Sequence, residues 1–436
     1  MMTLEIIFTE SDRYMGILKD IIKARQQGKK AGIPSYCTAN PVTIESVMRA
    51  YLNNDRPLLI ESTANQVDQF GGYTGMQPAD FVNMIHELAD KTGFDRSRIV
   101  LGGDHLGPLT FKDRPEEEAM QLAVDLVKAY CQAGYKKIHL DTSMRLQSDD
   151  PQAALPVETV AKRGARLFAA CLDTLKAEGV PREEWPEFVI GSEVPVPGGA
   201  AEALEIDVTS PADYEKTVEL YKEAFSEAGL IDDFDLIAAV VVQPGVEYGD
   251  HDVAVYDRDA AKDLMAALKK DPELMFEGHS TDYQPLSALS QMVEDGVGIL
   301  KVGPMITNAY REGLYALAEI EKWLVPEAKR SNLIAVIERV MTEDPKYWQA
   351  YYKGDETALH IARHFSLSDR IRYYLPYPQI DQAIKKMIGN FENLQIPAPL
   401  LSQYAPCALG AAVKTADDVT DCFVAEVVEL YEAAVS

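Results

Sequence analysis

Eight times between Gly32 and Trp323, a short apolar run passes through a polar or glycine-bearing loop into an amphipathic helix. That alternation limits the fold more than anything else in the chain. The runs are Gly32–Asn40, Pro57–Thr63, Ile99–His105, Lys137–Asp141, Phe188–Glu193, Leu236–Gln243, Leu274–His279 and Gly298–Gly303. Each is too short for a helix and bounded by turn residues, so each reads as a buried strand. The helices between them are predicted over Thr43–Leu52, Pro78–Lys91, Pro115–Ala133, Glu158–Gly179, Pro211–Ala228, Asp259–Lys270, Tyr283–Asp295 and Ile306–Trp323. Alternating strands and helices imply a parallel sheet covered by helices. Eight units fit a closed (β/α)8 TIM barrel, which typically needs about 250 residues and accommodates insertions. A doubly wound sheet is the alternative, but no GxGxxG follows the first strand and no P-loop occurs.

The stretch before the first strand reads as helical, with Asp20–Gly28 amphipathic. After residue 325 the strands stop. Helices are predicted over Ser331–Met341, Asp355–Ser366, Ile380–Phe391 and Thr415–Ala434. The chain is therefore divided into a barrel, residues 1–325, and a C-terminal helical appendix, residues 326–436, packed on it. An apolar content of 47% among 436 residues supports a large core. A net charge of −27 disfavours nucleic acid and anionic membrane surfaces as partners. No run approaches the ~18 apolar residues a membrane span needs. No basic, then apolar leader opens the chain, and five scattered cysteines (Cys37, Cys131, Cys171, Cys407 and Cys422) fit a reducing compartment. A cytoplasmic protein is expected; a homo-oligomer is left open.

In such a barrel, chemistry collects at the C-terminal ends of the strands. Those ends carry Asn40, Glu61, Asp104 with His105, Asp141, Glu193, Gln243 with Glu247 and His251 beyond it, His279 and Lys301. Titratable groups there are costly to bury without a partner or a role. His105, Glu193, His251 and His279 make a workable ligand set for a divalent transition metal. Such an ion polarises a sugar carbonyl or stabilises an enediolate. Glu247 is the rival carboxylate, and Glu193 has an alternative use as a helix cap or a partner of Lys301. Asp104 is placed to move protons. Glu61, Asp141 and Lys301 read either as catalytic or as a salt-bridged layer lining the mouth. His139, which precedes its strand end, reads as structural, and His86, His360 and His364 as ordinary helix residues.

Several longer segments then show a resemblance. They are IESTANQVDQFGGY (Ile60–Tyr73), GGDHLGP (Gly102–Pro108), HLDTSM (His139–Met144), GSEVPVPGG (Gly191–Gly199), QPGVE (Gln243–Glu247), HSTDYQ (His279–Gln284) and SDRIRYY (Ser368–Tyr374). Together they resemble the non-catalytic-type subunit of tagatose-1,6-bisphosphate aldolase. The resemblance implies a class II aldolase-like fold and a separate catalytic subunit that this one supports. Some relatives are described as metal-dependent C4 epimerases of free ketohexoses, and the family has carried the label tagatose-6-phosphate kinase. The sequence lacks any nucleotide-binding signature that a kinase requires. Class II aldolases pair an Asp–His strand end with further histidines around zinc. Asp104, His105, His251 and His279 match that pattern, so zinc is the first expectation, with manganese or nickel as alternatives. Aldol cleavage and C4 epimerisation begin alike, with loss of the C4 hydroxyl proton and scission of C3–C4. The expected substrate is a ketohexose or its phosphate. Lys301, Ser280 and Asp282 are placed to bind it, and Arg370 and Arg372 to clamp phosphate from the appendix. The alternative for the two arginines is surface ion pairing.

Overall fold

The computed structural model describes residues 16–191, 206–410, 413 and 415–436. Helix α1 (Ile17–Gln26) precedes strand β1 (Ile33–Cys37) and helix α2 (Pro41–Ala50). Then follow β2 (Leu58–Thr63), α3 (Pro78–Thr92), β3 (Ile99–Leu106), α4 (Glu116–Gln132), β4 (Lys137–Leu140), α5 (Val157–Ala177), β5 (Glu187–Gly191), α6 (Pro211–Glu227) and β6 (Ile237–Val242). A small antiparallel hairpin, β7 (Glu247–Tyr248) with β8 (Val253–Ala254), interrupts the alternation before α7 (Arg258–Ala267). Strand β9 (Met275–Gly278), α8 (Leu286–Asp295), β10 (Val297–Val302) and α9 (Pro304–Leu324) complete the round. The eight long strands close into a parallel barrel in the order β1-β10-β9-β6-β5-β4-β3-β2. Closure is made by β1 against β10, with Ser35 beside Lys301. The hairpin was not expected; its residues lie in what the sequence shows only as a ligand-rich loop.

The strands are near-continuous apolar runs because both faces are covered: one by helices, the other by the barrel interior. Helix starts are fixed locally. The Asn40 side chain accepts the Thr43 N–H at 3.0 Å ahead of Pro41, so this strand-end residue caps α2. Inside the barrel the floor is apolar, formed by Ile33, Leu59, Val100, Val189, Ala239, Val241, Met275 and Ile299. Helix α1 seals it from below with Leu18, Ile21 and Ile22, each burial contributing roughly 1.5–3 kcal/mol. Glu187 anchors that helix: its carboxylate accepts the N–H groups of Leu18 at 2.7 Å and Lys19 at 2.6 Å.

Past the barrel come α10 (Leu333–Glu343), α11 (Glu356–Phe365), α12 (Pro378–Phe391), a short α13 (Ala398–Tyr404) not expected from sequence, and α14 (Ala416–Val435). Helix α14 packs against α2, α8 and α9. Its buried Tyr431 hydroxyl donates to the carbonyl of Thr281 at 2.8 Å, steadying the loop after β9. Residues 366–369 are tied down on two sides. The Ser366 and Ser368 hydroxyls donate to Asp250 at 2.6 and 2.8 Å, and Asp369 accepts from Thr307 of α9 at 2.7 Å. Among the described residues no helix is long and apolar enough to cross a membrane.

Candidate active site

Side chains alternate along a strand, so every second residue faces the barrel interior. Above the apolar floor this rule produces a charged layer. Lys137 of β4 is fully buried, 2.8 Å from Glu61 and 2.7 Å from Glu277. Lys301 of β10 also pairs with Glu61 and reaches Asp104 at 2.9 Å. Gly102 is required beside this layer, since a Cβ there would meet the Glu61 side chain at 2.5 Å. Burial works against both ammonium charges, but the surrounding carboxylates win and hold both lysines above their usual range. Neither is a neutral nucleophile.

One step further up stand three imidazoles. The ring centres of His105, His139 and His279 lie 5.2, 4.9 and 5.4 Å apart. His105 follows Asp104 in a left-handed backbone conformation, φ +50°, and Ser280 beside His279 has φ +52°. Non-glycine residues held there cost about 1–3 kcal/mol each and concentrate at functional sites. Asp141 takes the Nδ1 side of His105 at 3.0 Å and is itself held by Ser143. His279 Nε2 donates to Glu277 at 2.8 Å, leaving Nδ1 as its free lone pair. His139 Nε2 must donate to the Gly191 carbonyl at 2.9 Å. In the neutral ring its Nδ1 lone pair then faces the Asp104 carboxylate at 2.9 Å. The His105 backbone N–H donates to the same Nδ1 at 3.3 Å.

The electrostatics follow from these contacts. Burial opposes charge on Asp104, but His105 and Lys301 hold its carboxyl well below the usual range. Asp141 is likewise lowered against burial by its bond to His105. Burial would lower His105, yet Asp104 and Asp141 raise it. Burial dominates at His279 and brings it down to about 4, which keeps the ring neutral. Asp104, His139, Glu277 and His279 each offer one ligand atom within 4.8 Å of the others. Among the described residues, Glu61, Asp104, Asp141 and Glu277, four buried carboxyl groups, face only two ammonium groups. Even a protonated His105 leaves the cluster short of positive charge, so the donor set fits a divalent cation.

The mouth opens into a pocket of about 760 Å³. Of the residues singled out from sequence, Asp104, His105, His279, Ser280, Asp282, Lys301 and Arg372 line it, as does Glu247. Others do not reach it. Glu61 is buried beneath it between two lysines, and Asp141 stands behind His105. His251 is exposed on the turn between β7 and β8, apart from the imidazole triangle. Arg370 points away, with its guanidinium 3.2 Å above the Tyr351 ring, because the tight turn Arg370–Tyr373 sends neighbouring side chains in different directions. Glu193 lies outside the described residues. His139 and Glu277 were missed, and the signal was present. Lys137-His139 and Glu277-His279 are spaced two apart, so strand alternation puts both of each pair inside the barrel. Glu338, His360 and His364 also approach one another between α10 and α11, but Arg363 already holds that carboxylate at 2.6 Å.

Fold and site together define a (β/α)8 barrel protein whose acid–imidazole cluster sits at the C-terminal strand ends, as in barrel enzymes. The chain belongs to the D-tagatose-1,6-bisphosphate aldolase subunit GatZ/KbaZ-like family, whose profile matches residues 18–435. It is 44% identical over 390 residues to D-tagatose-1,6-bisphosphate aldolase subunit GatZ of Salmonella gallinarum, covering 89% of this chain and 91% of that one. The GatZ subunit of Salmonella typhimurium is 45% identical over 393 residues, with the same coverage. A crystal structure from Sinorhizobium meliloti, described as a probable tagatose 6 phosphate kinase, superposes with a TM-score of 0.85 at 41% identity, covering 92% of this chain and all of that one.

Proposed function

We propose that this protein is a subunit of a tagatose-1,6-bisphosphate aldolase that supports a separate catalytic subunit and keeps a working metal site of its own. The observation that carries this reading is the buried surplus of carboxyl groups around three imidazoles. A purely structural subunit has no use for that arrangement, which costs stability unless a cation balances it. Asp104, His139 and His279 would hold the ion, with Glu277 orienting His279. When bound, a divalent ion supplies Lewis acidity at the sugar carbonyl. His105, fixed by Asp141 and facing the pocket, takes the proton of the C4 hydroxyl. Asp104, expected from sequence to do this, has both oxygens engaged by His139 and Lys301. Lys301, held cationic, stabilises negative charge as C3–C4 breaks.

The same apparatus favours a second reading, an autonomous ketose aldolase or C4 epimerase, because both reactions share that first step. Metal content of protein purified without chelator or affinity tag tests the common core. We expect close to one divalent ion per chain, lost in Asp104→Asn and His279→Ala and kept in His251→Ala. Metal-free wild-type protein after incubation with zinc, manganese or nickel refutes the site. Turnover of ketohexose phosphates without a second subunit decides for the autonomous enzyme; turnover only with the catalytic subunit added decides for the supporting role. A kinase would instead bind nucleotide.

A further inference from the structure

Parallel barrels most often seat phosphate on the loops after the seventh and eighth strands and on a helix N-terminus nearby. Here that seat is filled by the chain itself. The Asp282 carboxylate accepts the N–H of Gly303 at 2.9 and 3.2 Å and that of Met305 at 2.8 Å, at the start of α9. Asp282 is 1% exposed and lines the pocket. A phosphate arriving there would meet a carboxylate already holding the donors.

The pocket's further positive charge comes from the appendix. The Arg372 guanidinium donates to the carbonyls of Ser368 and Asp369 and to the Tyr373 hydroxyl at 2.8 Å. Among the described residues no carboxylate lies within ion-pair distance of it, in a chain of net charge −27. Its backbone is fixed by the Ser366, Ser368 and Asp369 contacts described above. Lys346 lines the same pocket and is half-exposed at the rim, 3.3 Å from Asp344 and with its ammonium 4.7 Å from the Tyr347 ring centre. Tyr73, Tyr347 and Tyr373 flank these two cations, and Tyr347 stacks on Tyr373 with ring centres 5.2 Å apart.

Resting on the second reading above, the autonomous ketose enzyme, and narrowing it, we propose that the pocket takes a ketohexose with a single terminal phosphate, held by Arg372 and Lys346, whose unphosphorylated end faces Asp282. The guanidinium presents paired donors to phosphate oxygens, the lysine adds a mobile charge, and the carboxylate accepts from sugar hydroxyls while repelling a second phosphate.

Calorimetric titration of the full-length protein with D-tagatose, its 6-phosphate, its 1,6-bisphosphate and inorganic phosphate tests this. The monophosphate is expected to bind at least about tenfold more tightly than the bisphosphate or the free sugar. Arg372→Met should cost about tenfold in monophosphate affinity. Lys346→Gln, at an exposed site that does not threaten folding, should cost about threefold; neither should change binding of the free sugar. Asp282→Asn keeps an acceptor oxygen for the Gly303 and Met305 N–H groups and should bring the bisphosphate within about twofold of the monophosphate. Bisphosphate binding as tight as monophosphate in the wild type, or unchanged monophosphate affinity in the Lys346 and Arg372 variants, overturns the proposal. Full metal content without any phosphate preference refutes this inference and leaves the metal reading intact. A clear monophosphate preference in protein that takes up no metal after incubation with zinc, manganese or nickel supports this inference and refutes the metal reading.

Discussion

Lys137 offers the sharpest test of how the barrel interior is balanced. It is fully buried, touches Glu61 at 2.8 Å and Glu277 at 2.7 Å, and is the charge that lets those carboxylates remain inside. At an effective dielectric near 20, one opposite-charge contact at roughly 3 Å is worth about 5–6 kcal/mol before desolvation. Desolvation offsets much of that while the pair is intact. Removing one partner leaves the other buried and unmatched, at a cost of about 3–5 kcal/mol. Lys137→Met keeps most of the apolar stem of the side chain and removes the ammonium group. We expect it to lower unfolding free energy by about 3–5 kcal/mol in urea titrations run with chelator, which prevents a bound ion from masking the deficit. Adding Glu277→Gln removes a surplus carboxylate and still accepts the His279 N–H. The double variant should therefore recover about 2 kcal/mol or more relative to additivity. A loss below about 1 kcal/mol in the single variant, or strictly additive losses in the double, would refute the charge-balance argument.

Two further outcomes follow from the packing. A Cβ on Gly107 would lie 1.7 Å from the carbonyl oxygen of Asp141, so Gly107→Ala must displace the loop that orients His105; we expect a loss of about 3 kcal/mol or more in thermal unfolding, and a near-wild-type melting point would contradict the geometry. Glu187 is raised by burial from 4.5 to about 7 in the folded protein. The folded chain then holds a proton that the unfolded chain releases between those values, so this group makes stability fall as pH rises through that window, by up to about 3 kcal/mol. Urea midpoints measured from pH 4.5 to 7.5 should show a flatter decline in Glu187→Gln; an unchanged slope would assign the pH dependence elsewhere.

The eight strands were legible because each carries its own signal, a short apolar run bounded by turn residues, and the helices because of their spacing and caps. Asp104, His105, His279 and Lys301 were legible as residues of the mouth for a related reason: strand ends converge once a parallel barrel closes. His139 and Glu277 were less visible. One precedes its strand end and the other is overshadowed by His279, though the two-residue alternation within β4 and β9 marks both as interior. His251 went the other way. Its loop is rich in ligands, but the β7–β8 hairpin turns it outward to solvent.

By itself, the sequence determined the element types, the closed α/β architecture and the acid–imidazole chemistry of the mouth, because these follow from patterns a few residues long. Only the tertiary structure decided which charges meet. Glu61 joins Lys137 and Lys301 across separations of 76 and 240 residues, set by strand register and by the pairing of β1 with β10. Only the tertiary structure separated Arg372 from Arg370, since a single turn sends one into the pocket and the other against Tyr351. Contacts of that kind have no local signature; they arise when the helical appendix docks over the barrel and brings distant backbone to the same wall.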